Sequence, residues 1–364
     1  SAEFDESTGL GEITHIGQDP NYKSKFDTIL KDWGFDPQHF EIDGKVKASS
    51  WNTQLKGGTV ETFYAFKGVV RRRHPERDEW YDKLLKEVSK KKPLQKKKVK
   101  GDTAYIFTLS DWQLGKVDLG VEKTLDRYDK ALQRAVAEVR RLGTIDEIYL
   151  LSMGDLTEGC YGFYDSQPHN ISLNLSQQYH LARKLIMKTV DTFLPYANKI
   201  VLSGVPANHG EMSRSGKGQV VTSRLDNSDT MHLEICQEIM EQNKRYDKVT
   251  VSIPEGFHHT VEVKGHTVAF THGHMHSGGS GPEGKIMKWW QGQMFGDFPV
   301  GDAEILITGH FHHPRMMQQG NRTWFQCPSI DASIDFTART GMWSKPGVLT
   351  FTIDKDGWDN YKIV

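Results

Sequence analysis

The chain has 364 residues, 37% hydrophobic and 26% charged, enough apolar content to bury a sizeable core and enough charge to stay dissolved. A formal net charge of −1 gives no bulk attraction to nucleic acid. The absence of any run of about 18 apolar residues excludes a spanning helix.

Residues 1–20 are polar, acidic and glycine-bearing, which reads as a disordered tail and argues against a signal peptide. Residues 21–75 read as a small α+β module. FDTILKDWGF is a short helix stopped at Gly34, and two strands flank the glycine turn Lys56-Gly57-Gly58. Residues 76–102 read as a helix followed by a lysine-rich linker from Lys90 to Lys100, with Arg71, Arg72 and Arg73 just upstream. Such a run is either a solvated connection or a patch that tracks phosphates.

From residue 103 onward, AYIFTLS, EIYLLSM, NKIVLSGV, TVAFTH and AEILITG are apolar, β-rich runs ending at small residues. Amphipathic stretches such as TLDRYDKALQRAVAEVRRLG and LSQQYHLARKLIMKTVDTFL separate them. Continuous apolar strands alternating with amphipathic helices predict a layered α/β core over 103–364. RTWFQCPSIDAS and GVLTFTIDKDGWDNYKIV predict closing antiparallel strands joined by an Asp-Gly turn. Cys160, Cys236 and Cys327 are an odd count without ligand spacing, which fits a reducing cytoplasm.

Metal-ligand residue types follow five of these strands: Asp111-Trp112-Gln113, Gly154-Asp155, Asn208-His209-Gly210-Glu211, His272-Gly273-His274 and Gly309-His310-Phe311-His312. Ligands of open α/β sheets bind outside the carboxyl ends of the strands. Two divalent cations roughly 3.5–4 Å apart need a bridging anion, and Asp155 can supply one. Neutral imidazoles and an amide carbonyl complete the shells without repelling an anionic phosphate. Any one motif alone is weak; the ordered series is not.

That series resembles the five-motif signature of the calcineurin-like metallophosphoesterases over roughly residues 103–315. LSDWQLGK, SMGDLTEGCYGFY, KWWQGQ and VGDAEILITGHFHH are similar to SbcD-like repair nucleases and to the calcineurin-like proteins of tailed phages and prophages. The resemblance implies a four-layer β-sandwich flanked by helices, with the site at one rim. It implies that Asp111, Gln113, Asp155 and His312 hold a first metal and that Asp155, Asn208, His272 and His310 hold a second. His209 matches the proton donor, with Glu211 as a loosely held candidate partner. Where the family has His, this chain has Gln113, a harder and weaker ligand that favours Mn²⁺, with Mg²⁺, Fe²⁺ or Zn²⁺ as further options. Gln113 could instead hydrogen-bond a water.

The loop after Asp155 offers Tyr161, Phe163 and Tyr164, either to stack nucleobases or to latch the loop onto the domain. Arg214 and Lys217 lie in a glycine-containing loop suited to phosphates, and His274 is a further substrate contact on the rim. Trp289 and Trp290 read as core or rim packing, and His258, His259 and His266 as strand or turn residues. The leading expectation is a metal-dependent nuclease acting on DNA rather than RNA, in the bacterial host cytoplasm if phage-encoded. The resemblance adds a homodimer and an ATPase partner. The alternatives are a phosphodiesterase or phosphatase for small nucleotides and a metal-stabilised scaffold.

Overall fold

The computed structural model describes residues 2–5, 10–19, 26–32, 34–37, 40–55, 57–72, 75–94, 99–117, 120–214, 220–276, 280–331, 341 and 343–364. The chain divides into two compact units, Ser1–Lys83 and Leu84–Val364.

The first unit contains β1 (Ala2–Asp5), β2 (Leu10–Gly17), α1 (Phe26–Asp32), β3 (Phe40–Gln54) and β4 (Val60–Arg72), in a sheet of order β1-β2-β4-β3. The expected hairpin is β3–β4, and Gly57 and Gly58 turn it with φ of 124° and 88°, which few side chains tolerate. Residues expected to form a disordered tail are instead ordered as β1 and β2 where described. β2 pairs with β4 from Leu10↔Arg71 to Gly17↔Tyr64, and Ile13 joins Ile29, Leu30, Phe66 and Val70 in a small core. A backbone ladder against a long neighbour makes a strand of a segment whose side chains signal one weakly. Helix α2 (Pro75–Ser89) carries the chain across the division. Arg73 and Lys96 to Lys98 of the basic segments lie outside the described residues. Of the lysines that are described, Lys91 pairs with Asp191.

The second unit begins its regular structure with β5 (Thr103–Ser110), α3 (Val121–Leu142), β6 (Ile145–Gly154), α4 (Leu175–Phe193), β7 (Lys199–Gly204), α5 (Ser228–Glu241) and β8 (Val249–Ser252). It continues through β9 (His258–Val263), β10 (His266–Thr271), α6 (Gly281–Phe295), β11 (Ile305–Thr308), β12 (Arg315–Gln319), β13 (Arg322–Gln326), β14 (Leu349–Asp354) and β15 (Gly357–Ile363). Two sheets result, ordered β15-β14-β5-β6-β7-β8 and β12-β13-β11-β10-β9. Strands β5 to β8 are mutually parallel, as are β10, β11 and β13, while β14 and β15 close the first sheet antiparallel, as the sequence predicts.

Period-two alternation assigns the faces. Ala104 and Ile106 of β5 meet Phe270, Ile307, Phe325 and Phe351 in the core between the sheets. Tyr105 and Phe107, on the other face, pack against Phe193 of α4, and Phe107 also meets Tyr128 of α3. α6 buries Ile286 and Trp290 against Ala269, Leu306 and Trp324 on the outer face of the second sheet. The layers are therefore helix, sheet, sheet, helix. Local signals agree with them: Asn174 and Gln177 form a reciprocal capping box at the start of α4, and Gly143 ends α3 at φ 69°. Each large apolar side chain sealed in this core contributes about 1.5–3 kcal/mol. Among the described residues no helix is long and apolar enough to cross a membrane.

Candidate metal centre

Because β5, β6 and β7 run parallel, their carboxyl ends open on one edge, and β10 and β11 do the same in the second sheet. Backbone hydrogen bonds then hold the segments beyond the strands together. Asp111 N–H donates to Gly154 O at 3.0 Å, and Gln113 N–H to Asp155 O at 3.0 Å. His272 Nδ1–H donates to Met153 O at 2.7 Å, joining the end of β10 to the end of β6 and one sheet to the other. Ser329 Oγ donates to Asp111 O at 2.8 Å, and His310 N–H lies 3.2 Å from both Asp111 carboxylate oxygens.

Asp111, Gln113, Asp155, His310 and His312 all have positive φ, between 44° and 70°. Side-chain-bearing residues rarely adopt this region, and such strain gathers where surrounding structure fixes a functional geometry. Space is tight as well. A Cβ on Gly309 would lie 2.7 Å from Ser110 Oγ and 2.9 Å from Asp111 Oδ2, so only glycine fits between β11 and the carboxylate.

Asp111 and Asp155 are sealed from solvent, at 0% and 1% exposure. Asp155 Oδ2 lies 3.1 Å from His272 Nε2, which is 2.8 Å from Asn208 Oδ1. Asp155, His272 and His310 offer one ligand atom each, all within 4.8 Å of one another. On the other side, His312 Nε2 is 3.2 Å from Asp111 Oδ1. With Nδ1 committed to Met153, the Nε2 of His272 faces a carboxylate and an amide oxygen, an arrangement that needs a proton or a cation at its centre. Burial opposes a charged ring there, yet Asp155 raises His272 to about 9. Burial and the neighbouring His272 lower His310 to about 4, so it stays a neutral donor. Burial also works against the ionised Asp111 and Asp155, but the adjacent imidazoles prevail and hold both low. Buried carboxylates beside imidazole nitrogens fit divalent cations, which take the place of the proton on His272 and bind deprotonated ligands.

The remaining expected residues fall around this cluster. His209 N–H donates to Asp155 Oδ1 at 2.8 Å, and its ring Nδ1–H donates to Glu158 O at 2.8 Å. Its neighbouring carboxylate is Glu158, 3.6 Å away, and not Glu211. Glu211 is fully buried between Arg214 and Arg224, the second at 2.7 Å, so its charge is already matched. His274 lies beside both His272 and His310, with ring centroids at 5.3 and 6.3 Å. Tyr164 OH donates to Glu158 Oε1 at 2.7 Å, whereas Tyr161 is 62% exposed. Gln113 Oε1 accepts from Lys116 Nζ at 3.2 Å, and Lys116 also pairs with Asp331 at 2.7 Å. Lys217 lies outside the described residues. Trp290 is buried in the core and Trp289 stacks on His276 at 4.0 Å, packing roles as expected.

Sequence reasoning missed Asp229 as well as Glu158. Fixed at the start of α5, Asp229 accepts from the backbone N–H groups of Asp155 and Leu156 at 3.1 and 3.0 Å. Burial, then the charge of Asp155, pushes it up to about 7. Its only sequence signal is the cap Asn227-Ser228-Asp229, which says nothing of a loop more than seventy residues upstream.

The chain matches no protein-family model and none of the curated proteins searched. Among solved structures it is similar to an archaeal phosphodiesterase, at 12% identity and TM-score 0.33, covering 71% of this chain and 99% of that one. It is also similar to a hypothetical protein from Pyrococcus horikoshii OT3, at 11% identity and TM-score 0.36, covering 72% and 88%. Vps29 from Entamoeba histolytica, a structure complexed with zinc, matches at 11% identity and TM-score 0.29, covering 68% and 84%. Likenesses this distant assign no activity.

Proposed function

We propose that the chain is a phosphoester hydrolase using two divalent cations, Mn²⁺ foremost, and that its substrates are nucleic-acid phosphodiesters, DNA before RNA. The observation that carries this reading is the convergence of Asp111, Asp155, Asn208, His272, His310 and His312 on one rim, with two solvent-free carboxylates in need of cations.

Asp111, Gln113, Asp155 and His312 would hold one cation, and Asp155, Asn208, His272 and His310 the other. When bound, the cations supply Lewis-acid polarisation of the phosphoryl group. The protein's own part is orientation and proton transfer. His209 commits Nδ1–H to Glu158 O, so Nε2 is the end left to protonate a leaving oxygen. The same residue's backbone N–H holds Asp155 in place, which ties the proton donor to the proposed bridging carboxylate. Exposed Tyr161, in the same loop as Phe163, would offer a face to a nucleobase, and half-exposed Arg224, paired with Glu211, would offer the rest of its guanidinium to a phosphate.

The test compares single-stranded DNA, bis(p-nitrophenyl) phosphate and cyclic nucleotides with the full chain in Mn²⁺. Cleavage of DNA and the model diester supports the proposal. Hydrolysis of cyclic nucleotides without DNA cleavage would transfer the activity to small nucleotides. No turnover with any divalent metal would leave a metal-stabilised scaffold.

A further inference from the structure

The aromatic loop after β6 packs against the His209 imidazole. The Phe163 ring stacks on the His209 imidazole with centroids 4.0 Å apart and planes 21° from parallel. The Arg214 guanidinium carbon lies 4.4 Å from the same Phe163 centroid. Both groups therefore pack directly on the Phe163 ring. Arg214 is fixed in turn. Its Nη2 donates to Asn208 O at 3.3 Å and contacts Glu211, and its Nη1 donates to Gly162 O at 3.4 Å. The side chains of Arg214 and His209 are 10% and 8% exposed.

We infer that Phe163, clamped by Arg214, is the positioning residue that holds the His209 imidazole at the angle needed to protonate a leaving oxygen. The inference rests on the phosphoesterase reading above. The Nδ1–H bond to Glu158 O anchors one ring atom, and small changes in χ1 and χ2 can still tilt the imidazole about it. A flat partner at stacking distance removes this freedom and shields the ring from water, and a misplacement of about 1 Å at a reacting group can cost about a hundredfold in rate. Arg214 contributes a cation–π contact to the same phenyl ring.

The test exploits leaving-group chemistry. An alkoxide leaving from a dinucleoside monophosphate needs a proton, whereas p-nitrophenolate from bis(p-nitrophenyl) phosphate does not. With Mn²⁺, Phe163→Leu is expected to lower kcat on the dinucleoside monophosphate by roughly ten- to a hundredfold, part of the factor a general acid supplies. It should change bis(p-nitrophenyl) phosphate turnover by less than about threefold, and Phe163→Tyr should restore the first substrate. A second readout needs no turnover: in NMR spectra of histidine-labelled protein, the His209 ring proton should carry the upfield ring-current shift of a stacked imidazole, and lose it in Phe163→Leu. Equal losses on both substrates, or an unshifted His209 resonance in the wild type, would overturn the inference and leave the phosphoesterase reading standing. A wild type inactive on both substrates would overturn the phosphoesterase reading, and the inference with it.

Discussion

On one side of Asp155, the carboxylate, His272 and His310 bring ligand atoms within 4.8 Å of one another, and Asn208 adds an amide oxygen 2.8 Å from His272. On the other side, Asp111 and His312 face each other at 3.2 Å, but the amide oxygen of Gln113 is occupied by the Lys116 ammonium, which Asp331 holds in turn. Among the described residues, the first half is lined by a carboxylate, an amide oxygen and imidazoles, with no lysine or arginine ammonium or guanidinium on its ligand atoms. The second already contains a positive charge and lacks one imidazole. The comparison teaches that two cations sharing a carboxylate need not be held equally: the Asn208 half should retain its metal, while the Gln113 half should release it first to a chelator.

The largest way to break that picture is to remove what the halves share. Asp155→Ala should lower bis(p-nitrophenyl) phosphate turnover by roughly ten-thousandfold and empty both halves in metal analysis. Loss of only one metal would show that the carboxylate does not bridge. His209→Ala separates chemistry from binding. Turnover of an alkyl diester should fall by about a thousandfold while both metals are retained, and a parallel loss of metal would make His209 a ligand instead of an acid.

A third prediction tests the scaffold behind the better half. Burial and Arg183 lower the imidazole of His232, on α5, to about 3, and the unfolded chain binds that proton near 6.5. The native state therefore refuses a proton that the unfolded state accepts. The stability this group contributes is complete above pH 6.5 and is lost as pH falls toward 3, by about 1.4 kcal/mol per pH unit. Urea titrations at pH 7, 6 and 5 should show a shallower decline in His232→Leu than in the wild type; identical slopes would refute the assignment. The smallest effect expected is at the weaker half. Gln113→His should tighten the more labile metal by about tenfold, read by competition with a chelator, and an unchanged titration would remove Gln113 from the ligands.

Most of the fold of the second unit was legible because its strands are continuous apolar runs and its helices amphipathic, so periodicity alone separates them. The ligand types were legible for a related reason: each stands where an apolar strand stops, and the carboxyl ends of parallel strands share an edge. What stayed hidden depends on side chains meeting across the chain. Glu158 reaches His209 through its backbone oxygen, which no residue type reveals, and Glu211, nearer in sequence, is neutralised by Arg214 and Arg224. Phe163 reads equally as a base-stacking or a latching aromatic until His209 and Arg214 are seen against its ring. β2 was missed because the ladder that orders it lies in β4, more than forty residues downstream, and β1 because, among the described residues, it pairs only with β2.

Diffraction from crystals soaked in Mn²⁺, with data collected at the manganese edge, tests the central claim most directly. The account predicts two anomalous peaks roughly 3.5–4 Å apart with the Asp155 carboxylate between them, the peak beside His272 and His310 being the stronger. A rim without manganese density, or ions bound elsewhere while Asp155 and His272 keep their direct contact, would contradict it.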